Sequence, residues 1–509
     1  MRGVAPHLIP PRLKTGISRD ISMSKTILNA DELRSLEERS ANHLGADQLM
    51  RRAGAAAADL VEARSPGRRV TLLAGPGNNG GDAVACALEL KRRGFEVQLV
   101  LPTGEPRSEL ARTMLAEWRA AGGTTERDPY MTEKADCVVD GLFGTGLEKP
   151  VSGEALDAVL WFNERQAFKI ALDLPSGLNA ATGNWVGTIP GCRADVTIAF
   201  LAVKAGLYMN EGVDAAGEVV LAELDVSVPL SNLSVVETDE FEHVLAPRNK
   251  NSHKGTYGHL AIVGGDRGHA GAALLAARAG LVTGAGTVTA ELLAGHGPEF
   301  DPTMPELMFS ETPVDFTAFT AAVIGPGLGM SDAAKARLCA ALDVEKPLVI
   351  DADALNLISA DLKLQDRLLA RRATTILTPH EMEAARMLRR DVKNVTVDRV
   401  AAARELAVQS GAIVVLKGPG TVVALRSSRT WINPTGSPML STAGSGDVLA
   451  GMIGAFLAQK FDAVESVLSA VYLHGLSAEG RFAGFLAGEI APAAARILES
   501  MRRERVRRY

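Results

Sequence analysis

The chain has only four cysteines in 509 residues, Cys86, Cys137, Cys192 and Cys339, spread far apart with no Cys-x-x-Cys spacing. That scarcity excludes a disulfide framework and offers no zinc signature, so the expectation is buried thiols in a reducing compartment. No apolar run approaches the roughly 20 residues that a membrane-spanning helix needs. The first two dozen residues are basic and contain proline but lack the continuous hydrophobic stretch of a secretory signal. A cytoplasmic protein is expected, with 1–24 a disordered extension and Met23 an alternative start. An excess of positive charge is also missing: the formal charge is -6, which argues against nucleic acid as the main partner. There is no short-period repeat.

What is present is a globular composition, 47% apolar and 22% charged, on a chain too long for one core, so two large domains are expected. Two α/β series alternate short β-branched runs with helical patterns, the signature of a parallel sheet covered by helices. The first has strand candidates at 69–74, 96–101, 137–140, 169–173 and 196–200, with helices near 29–62, 82–93, 108–121 and 154–162, and ends in a short strand at 218–222. The second has strands at 259–264, 287–291, 321–324, 347–350, 375–377, 412–416 and 421–425. Between them, the pattern fades and reads as a linker over 227–240. The basic end of the chain suits a helix C-terminus.

Fifty glycines, many clustered, fit small anionic substrates held by local amides. The most informative cluster, STAGSGDVLAGMIGAFLAQ at 441–459, sets a Gly-Ser-Gly turn and one carboxylate, Asp447, before an almost wholly apolar helix. Gly444 and Gly446 allow successive N–H groups to converge on an anion where the helix dipole favours negative charge. Asp in a first helical turn is also an ordinary dipole partner. The apolar helix behind it must be buried, which puts Asp447 on a floor rather than a surface.

In the first series AGPGNNGGD follows the first strand. A glycine-rich turn there is a phosphate site by geometry, and Asn78, Asn79 and Asp82 add side-chain oxygens and amides. Taken singly, each serves equally as a turn former or helix cap. Asp140 and Asp173 end two further strands, and three polar strand ends in an open parallel sheet converge on one crevice.

Together GPGNNGGD, VDGLFGTGL and LDLPSGL resemble the amino-terminal domain of the bifunctional NAD(P)H-hydrate repair enzymes. HKGTYGHLAIVGGDRGHAGAA, IGPGLG, DADALN, TPHEMEAARML, LKGPGTVV and GSGD resemble their ADP-dependent dehydratase domain, a relative of ribokinase. The resemblance covers about 25–500. It implies two three-layer α/β domains: a Rossmann-like epimerase domain over 25–226 and a ribokinase-like dehydratase domain over 241–509. The substrate it implies is a C6-hydroxylated dihydronicotinamide in two epimers. One domain interconverts them and the other removes water after phosphoryl transfer from ADP.

The same resemblance assigns roles. Asp447 is the base for the hydroxyl, with the amides of 443–446 as its anion hole. Lys417, Gly418, Pro419, Gly420, Thr421 and Gly446 surround AMP or ADP, although a plain β-hairpin turn reads equally well there. Ala272, Gly327, His380 and Asp447 face the hydrate, and His380 reads equally as a helix-start cap. Asp173 is the epimerase's catalytic carboxylate. Asn78, Asn79, Gly80, Gly81, Asp82, Gly144, Thr145, Gly146, Leu147, Glu148, Lys149 and Pro150 cradle its substrate. Asn79, Asp140 and Ser176 hold a potassium ion, oxygen ligands that agree with a hard cation and argue against zinc. Magnesium is expected with the nucleotide, ATP is an alternative donor, and a homo-oligomer is expected. The chain departs from the family's pattern at Glu381 and Met382, where Pro and Gly are usual, and at Thr256, where Asp is usual.

Two rivals stay open. A ribokinase-like small-molecule kinase would use the same Asp447 and glycine loops but leaves the first domain idle. A binding or scaffold role for the first domain is disfavoured by the presence of Asn79, Asp140, Asp173 and Ser176 together.

Overall fold

The computed structural model describes residues 25–295 and 300–506. The extension expected over 1–24 lies outside them. Seven strands make the first sheet: β1 (Arg69–Ala74), β2 (Glu96–Val100), β3 (Thr125–Glu126), β4 (Cys137–Gly141), β5 (Phe168–Leu172), β6 (Val196–Phe200) and β7 (Glu218–Ala222). Their order is β3-β2-β1-β4-β5-β6-β7, and every pairing is parallel. Helices cover both faces, so the central strands read as unbroken apolar runs rather than alternating ones.

The second sheet contains β8 (Leu233–Val235), β9 (His259–Gly264), β10 (Thr287–Leu292), β11 (Met308–Ser310), β12 (Ala321–Ile324), β13 (Leu348–Ile350), β14 (Thr375–Leu377), β15 (Ile413–Leu416), β16 (Val422–Ala424) and β17 (Thr430–Ile432). The order is β11-β10-β9-β12-β13-β14-β15-β16-β17-β8. Only the β15–β16 and β16–β17 pairings are antiparallel. In both sheets the chain steps outward over three strands, then returns to the other side of the first. The loops after β1 and β4, and after β9 and β12, therefore diverge at a topological switch point, where a crevice opens beyond the strand ends.

Two local differences from the sequence reading have clear causes. The helix expected over 29–62 is broken at Gly45, whose φ of 92° belongs to glycine, giving Ala30–Leu44 and Ala46–Arg64. The segment read as a linker contains β8, which pairs parallel with β17 and also receives the first described residues. Ile27 N donates to Leu233 O at 2.9 Å and Val235 N to Lys25 O at 3.0 Å. A strand of three residues is too short to show a periodic pattern.

The two units share an apolar seam. Leu174, Leu207 and Met209 from the first lie in one buried cluster with Leu377, Leu416 and Val422 from the second. Among the described residues no helix is long and apolar enough to cross a membrane. Cys86, Cys137 and Cys192 are buried, Cys339 is half-buried, and all four are free thiols.

Candidate active sites

The first crevice sits beyond β1, β4 and β5. Asn78, Asn79, Asp82, Gly144, Thr145, Gly146, Leu147 and Asp173 line one cavity of about 620 Å³. The turn after β1 is glycine-rich for packing as well as for a ligand. A Cβ on Gly80 would lie 1.9 Å from Gly75 O, and one on Gly81 would meet the Met50 side chain at 2.5 Å. Glu148, Lys149 and Pro150 are exposed and outside the cavity lining; Pro150 packs beside Gly187.

Asp173 takes φ 64°, an uncommon angle for a residue with a side chain, which marks it as held by its surroundings. Its Oδ1 is bonded by the ammonium of Lys204, which is 2% exposed and also donates to Phe200 O at 3.0 Å. Asp82 has its carboxyl pushed well above the ordinary range, by burial first and then by Asp173 and Glu37, against the pull of Lys204. Glu37 lines the same cavity and is raised by burial and by Asp173. Three carboxyls thus share one buried ammonium.

Beside this cavity, Asp140 is fully buried. Its Oδ2 accepts from Ser176 N at 2.8 Å, and its Oδ1 from Ser176 Oγ at 2.7 Å and Leu142 N at 3.1 Å. Burial still pushes its carboxyl upward. Asn79 donates through Nδ2 to Leu172 O at 3.1 Å, while its Oδ1 is buried without a partner. The end of β4 and the loop after it reach both sides: a Cβ on Gly141 would lie 3.1 Å from Asn79 O, and Phe143 N donates to Ser176 Oγ at 2.8 Å. An orphaned amide oxygen near a buried carboxylate and a hydroxyl is a donor set that fits an alkali cation. Among the described residues no group of three His, Cys, Asp or Glu side chains is placed to hold a metal ion.

The second crevice gathers the ends of β9, β12, β13, β14 and β15. At its switch point Gly265 N donates to Pro326 O at 2.9 Å and Asp266 N to Gly327 O at 2.6 Å. Gly327 has φ 60°, and a Cβ there would lie 3.2 Å from Ala272 Cβ, so these two expected hydrate contacts are neighbours. Asp447 lies in the first turn of the helix Ser445–Ala458, whose body is buried as its composition required, with Gly444 at φ 89° before it. Burial, then the charge of Asp351, raises the Asp447 carboxyl to about 7 against the opposing Lys417.

Lys417 Nζ donates to Asp351 Oδ1 at 2.8 Å, and the same nitrogen lies 3.1 Å from where a Cβ on Gly446 would stand. A cation is therefore built in beneath the Gly-Ser-Gly turn. Behind that turn, His474 is buried and its Nε2 donates to Ser445 O at 3.0 Å. Burial lowers this imidazole to about 4, so it holds the turn as a neutral donor. The segment Lys417, Gly418, Pro419, Gly420 and Thr421 is the turn of the β15–β16 hairpin, so the hairpin reading of its sequence holds, and it reaches Gly446 through the Lys417 side chain.

His380 is likewise a cap. Its Nδ1 accepts from Met382 N at 3.1 Å, which leaves the proton on Nε2, and His380 N donates to Glu383 Oε2 at 2.8 Å. Burial and the nearby Lys417 lower its affinity for a second proton. Its Nε2 lies 3.4 Å from Glu383 Oε1, so the capping carboxylate faces both the backbone N and the ring.

Lys204, Glu37, Asp351, His474 and Arg399 were not singled out from the sequence. Lys204 had a signal, as the only charge in the apolar stretch from 196 to 210, and Asp351 stood inside the DADALN motif. The others meet their partners only through the fold.

Comparisons with known proteins agree across the chain. A family model described as NAD(P)H-hydrate dehydratase matches residues 260–499, and one described as YjeF-related protein N-terminus matches 46–206. Relatives described as bifunctional NAD(P)H-hydrate repair enzymes include those of Coxiella burnetii, 33% identical with 87% of this chain and 93% of the relative covered, and Escherichia coli, 35% identical with 90% of each covered. The one from Gloeobacter violaceus is 36% identical, covering 89% of this chain and 93% of the relative. Among solved structures, the ADP/ATP-dependent NAD(P)H-hydrate dehydratase of Bacillus subtilis, co-crystallised with ATP and Mg2+, is 30% identical with a TM-score of 0.44, covering 51% of this chain and 96% of that one.

Proposed function

The chain belongs to the family of bifunctional NAD(P)H-hydrate repair enzymes, and from that premise we propose how its two crevices divide the work. The protein is an NAD(P)H-hydrate epimerase and an ADP/ATP-dependent NAD(P)H-hydrate dehydratase in one polypeptide, the first crevice serving epimerisation and the second dehydration. The observation that carries this reading is the placement of Asp447 in the first turn of a buried helix behind the Gly-Ser-Gly turn, its carboxyl raised to about 7, with the half-buried Lys417 ammonium 3.1 Å from where a Cβ on Gly446 would stand.

In the second crevice Asp447 takes the proton of the C6 hydroxyl as the hydroxyl oxygen attacks the β-phosphorus of ADP. The bond from that phosphorus to the bridging oxygen breaks and AMP leaves. The Gly444–Gly446 amides and Lys417 stabilise the charge on the transferred group. The ring-nitrogen lone pair then expels phosphate, and loss of the C5 proton restores the dihydronicotinamide. Ala272, Gly327 and His380 hold the hydrate, and Lys417, Gly418, Pro419, Gly420, Thr421 and Gly446 hold the nucleotide. ADP is the proposed donor, and magnesium would enter with it and supply positive charge for the transferring group, an ion that commonly needs few protein ligands.

In the first crevice Asp173 exchanges a proton with the hydroxyl as the C6–N1 bond opens and recloses on the other face. Asn78, Asn79, Asp82 and the loop from Gly144 to Leu147 surround the substrate. A potassium ion held by Asn79, Asp140 and Ser176 would supply fixed positive charge beside the substrate. The domains are proposed as 25–226 and 241–509, with β8 in the intervening segment completing the second sheet. A cytoplasmic, homo-oligomeric protein accords with the free thiols and the family.

The test is repair itself. Mixed-epimer hydrate with ADP and potassium should regain the absorbance of NADH. Asp447→Ala should abolish this, and Asp173→Ala should leave the slow epimer unrepaired. Full repair by the Asp447→Ala protein would overturn the assignment, and running ADP against ATP decides the donor.

A further inference from the structure

The β15–β16 turn is not built by its own domain alone. Gly420, at φ 66°, presses on the first unit so closely that a Cβ would lie 1.9 Å from Tyr208 O. On its inner side the turn is held by Arg399, which is fully buried: Nη1 donates to Pro419 O, Nη2 donates to Leu416 O at 3.2 Å, and Glu381 Oε1 lies 3.4 Å from Nε. Arg399 opens the helix Arg399–Ser410, and the residues just ahead of it are bonded from the first unit. Asn184 Nδ2 donates to Val397 O at 3.3 Å and Asn210 Nδ2 to Thr396 O at 3.4 Å.

These two routes come from one stiff patch. Tyr208 ends the turn Ala205–Tyr208, all of whose residues are buried. Gly206 N donates to Ala180 O at 2.7 Å, and Asn210 Nδ2 donates to Thr182 O at 2.8 Å. A Cβ on Gly183 would lie 2.1 Å from Met209 O. Close-packed backbone of this kind has no free volume into which the turn from Lys417 to Thr421 can retreat.

We propose that the first unit is a positioning part of the nucleotide site of the second: the Tyr208 carbonyl backs Gly420 directly, and Asn184 and Asn210 fix the helix start from which Arg399 grips the turn. This rests on the assignment of the Lys417–Thr421 turn to ADP. None of the three first-unit residues touches substrate in this scheme. They act on the affinity for nucleotide, so their loss should appear in KM for ADP and not in the chemical step.

The test uses the full chain supplied with the dehydratase's own epimer, so that epimerisation is not required. Gly420→Asn should raise KM for ADP about tenfold, because Asn tolerates the left-handed backbone whereas its Cβ collides with Tyr208 O. The Asn184→Ala/Asn210→Ala double variant should raise KM for ADP several-fold with kcat within about twofold. Epimerase activity, measured on the same samples, serves as the folding control for the double variant should Gly420→Asn not fold. Unchanged KM for ADP in the folded variants overturns the proposal, and so does a fall in kcat with KM unaltered. A wild-type chain that dehydrates without any nucleotide would instead overturn the function on which the proposal rests.

Discussion

The ammonium of Lys204 closes on the carboxylate of Asp173 from beneath the first crevice, and both are fixed by the chain ends around β5 and β6. One buried ammonium thus faces three carboxyls, since Asp82 and Glu37 line the same cavity, to which Arg34 brings a second cation beside Glu37.

Replacing that ammonium should separate the two activities. Lys204→Met removes the charged partner of a half-enclosed carboxylate, leaving it the Phe200 N–H at 3.4 Å, and should lower the epimerisation rate on the order of 10²-fold, the usual weight of a positioned acid–base group. Dehydration of the correct epimer by the same sample should stay within about threefold. Equal loss of both activities would show that the lysine holds the fold instead.

The dehydratase should follow the titration of Asp447. A base must be deprotonated, so kcat/KM should rise with pH through about 7 and level off above it. The acid limb should vanish in Asp447→Asn together with the activity. A profile flat from pH 5.5 to 8.5 in the wild type would remove Asp447 from the role of base.

The same group makes a stability prediction of definite sign. A carboxyl raised on folding binds its proton more tightly in the folded chain, so it costs stability above its folded pKa, and the cost fades as pH falls from about 7 toward 4. At pH 8 Asp447→Asn should therefore be more stable to unfolding, by about 1–3 kcal/mol, and the two proteins should converge near pH 4. Calorimetry at the two pH values measures this directly.

Potassium dependence should map to the orphaned oxygen of Asn79. Asn79→Ala should raise the potassium concentration needed for half-maximal epimerisation, while dehydration keeps its own salt response. An epimerase equally active in wild type with potassium or with a bulky organic cation would remove the ion from this site.

Gly451 lets the helix Ser445–Ala458 lie against the helix Ala270–Thr283: a Cβ there would stand 2.1 Å from Ala276 O. Gly451→Ala should destabilise by about 1–3 kcal/mol through overpacking. It should also weaken dehydration more than epimerisation, because these helices carry Asp447 and Ala272.

The sheets, the glycine turns and the strand-end carboxylates were readable because each depends on local chemistry: apolar runs, left-handed backbone, and Asp where a parallel strand ends. Asp447 is the clearest case, since the apolar helix behind it already required a buried floor. Lys204, Arg399 and His474 were less readable because their partners lie 17 to 31 positions away and meet them only through packing. His380 and the β15–β16 turn show the opposite difficulty. Their structural readings proved correct, and a cap or a hairpin does not prevent the same atoms from facing a ligand.

The pairing of β8 sets a timetable on synthesis. Lys25 and Ile27 emerge first, and their partners at Leu233 and Val235 about 200 residues later. Thr430–Ile432, on the other side of β8, follow after about 200 more. At about 5–20 residues per second each interval lasts roughly 10–40 s. Until Thr430–Ile432 are made, the edge of residues 233–235 that pairs with them in the folded chain has no native strand partner.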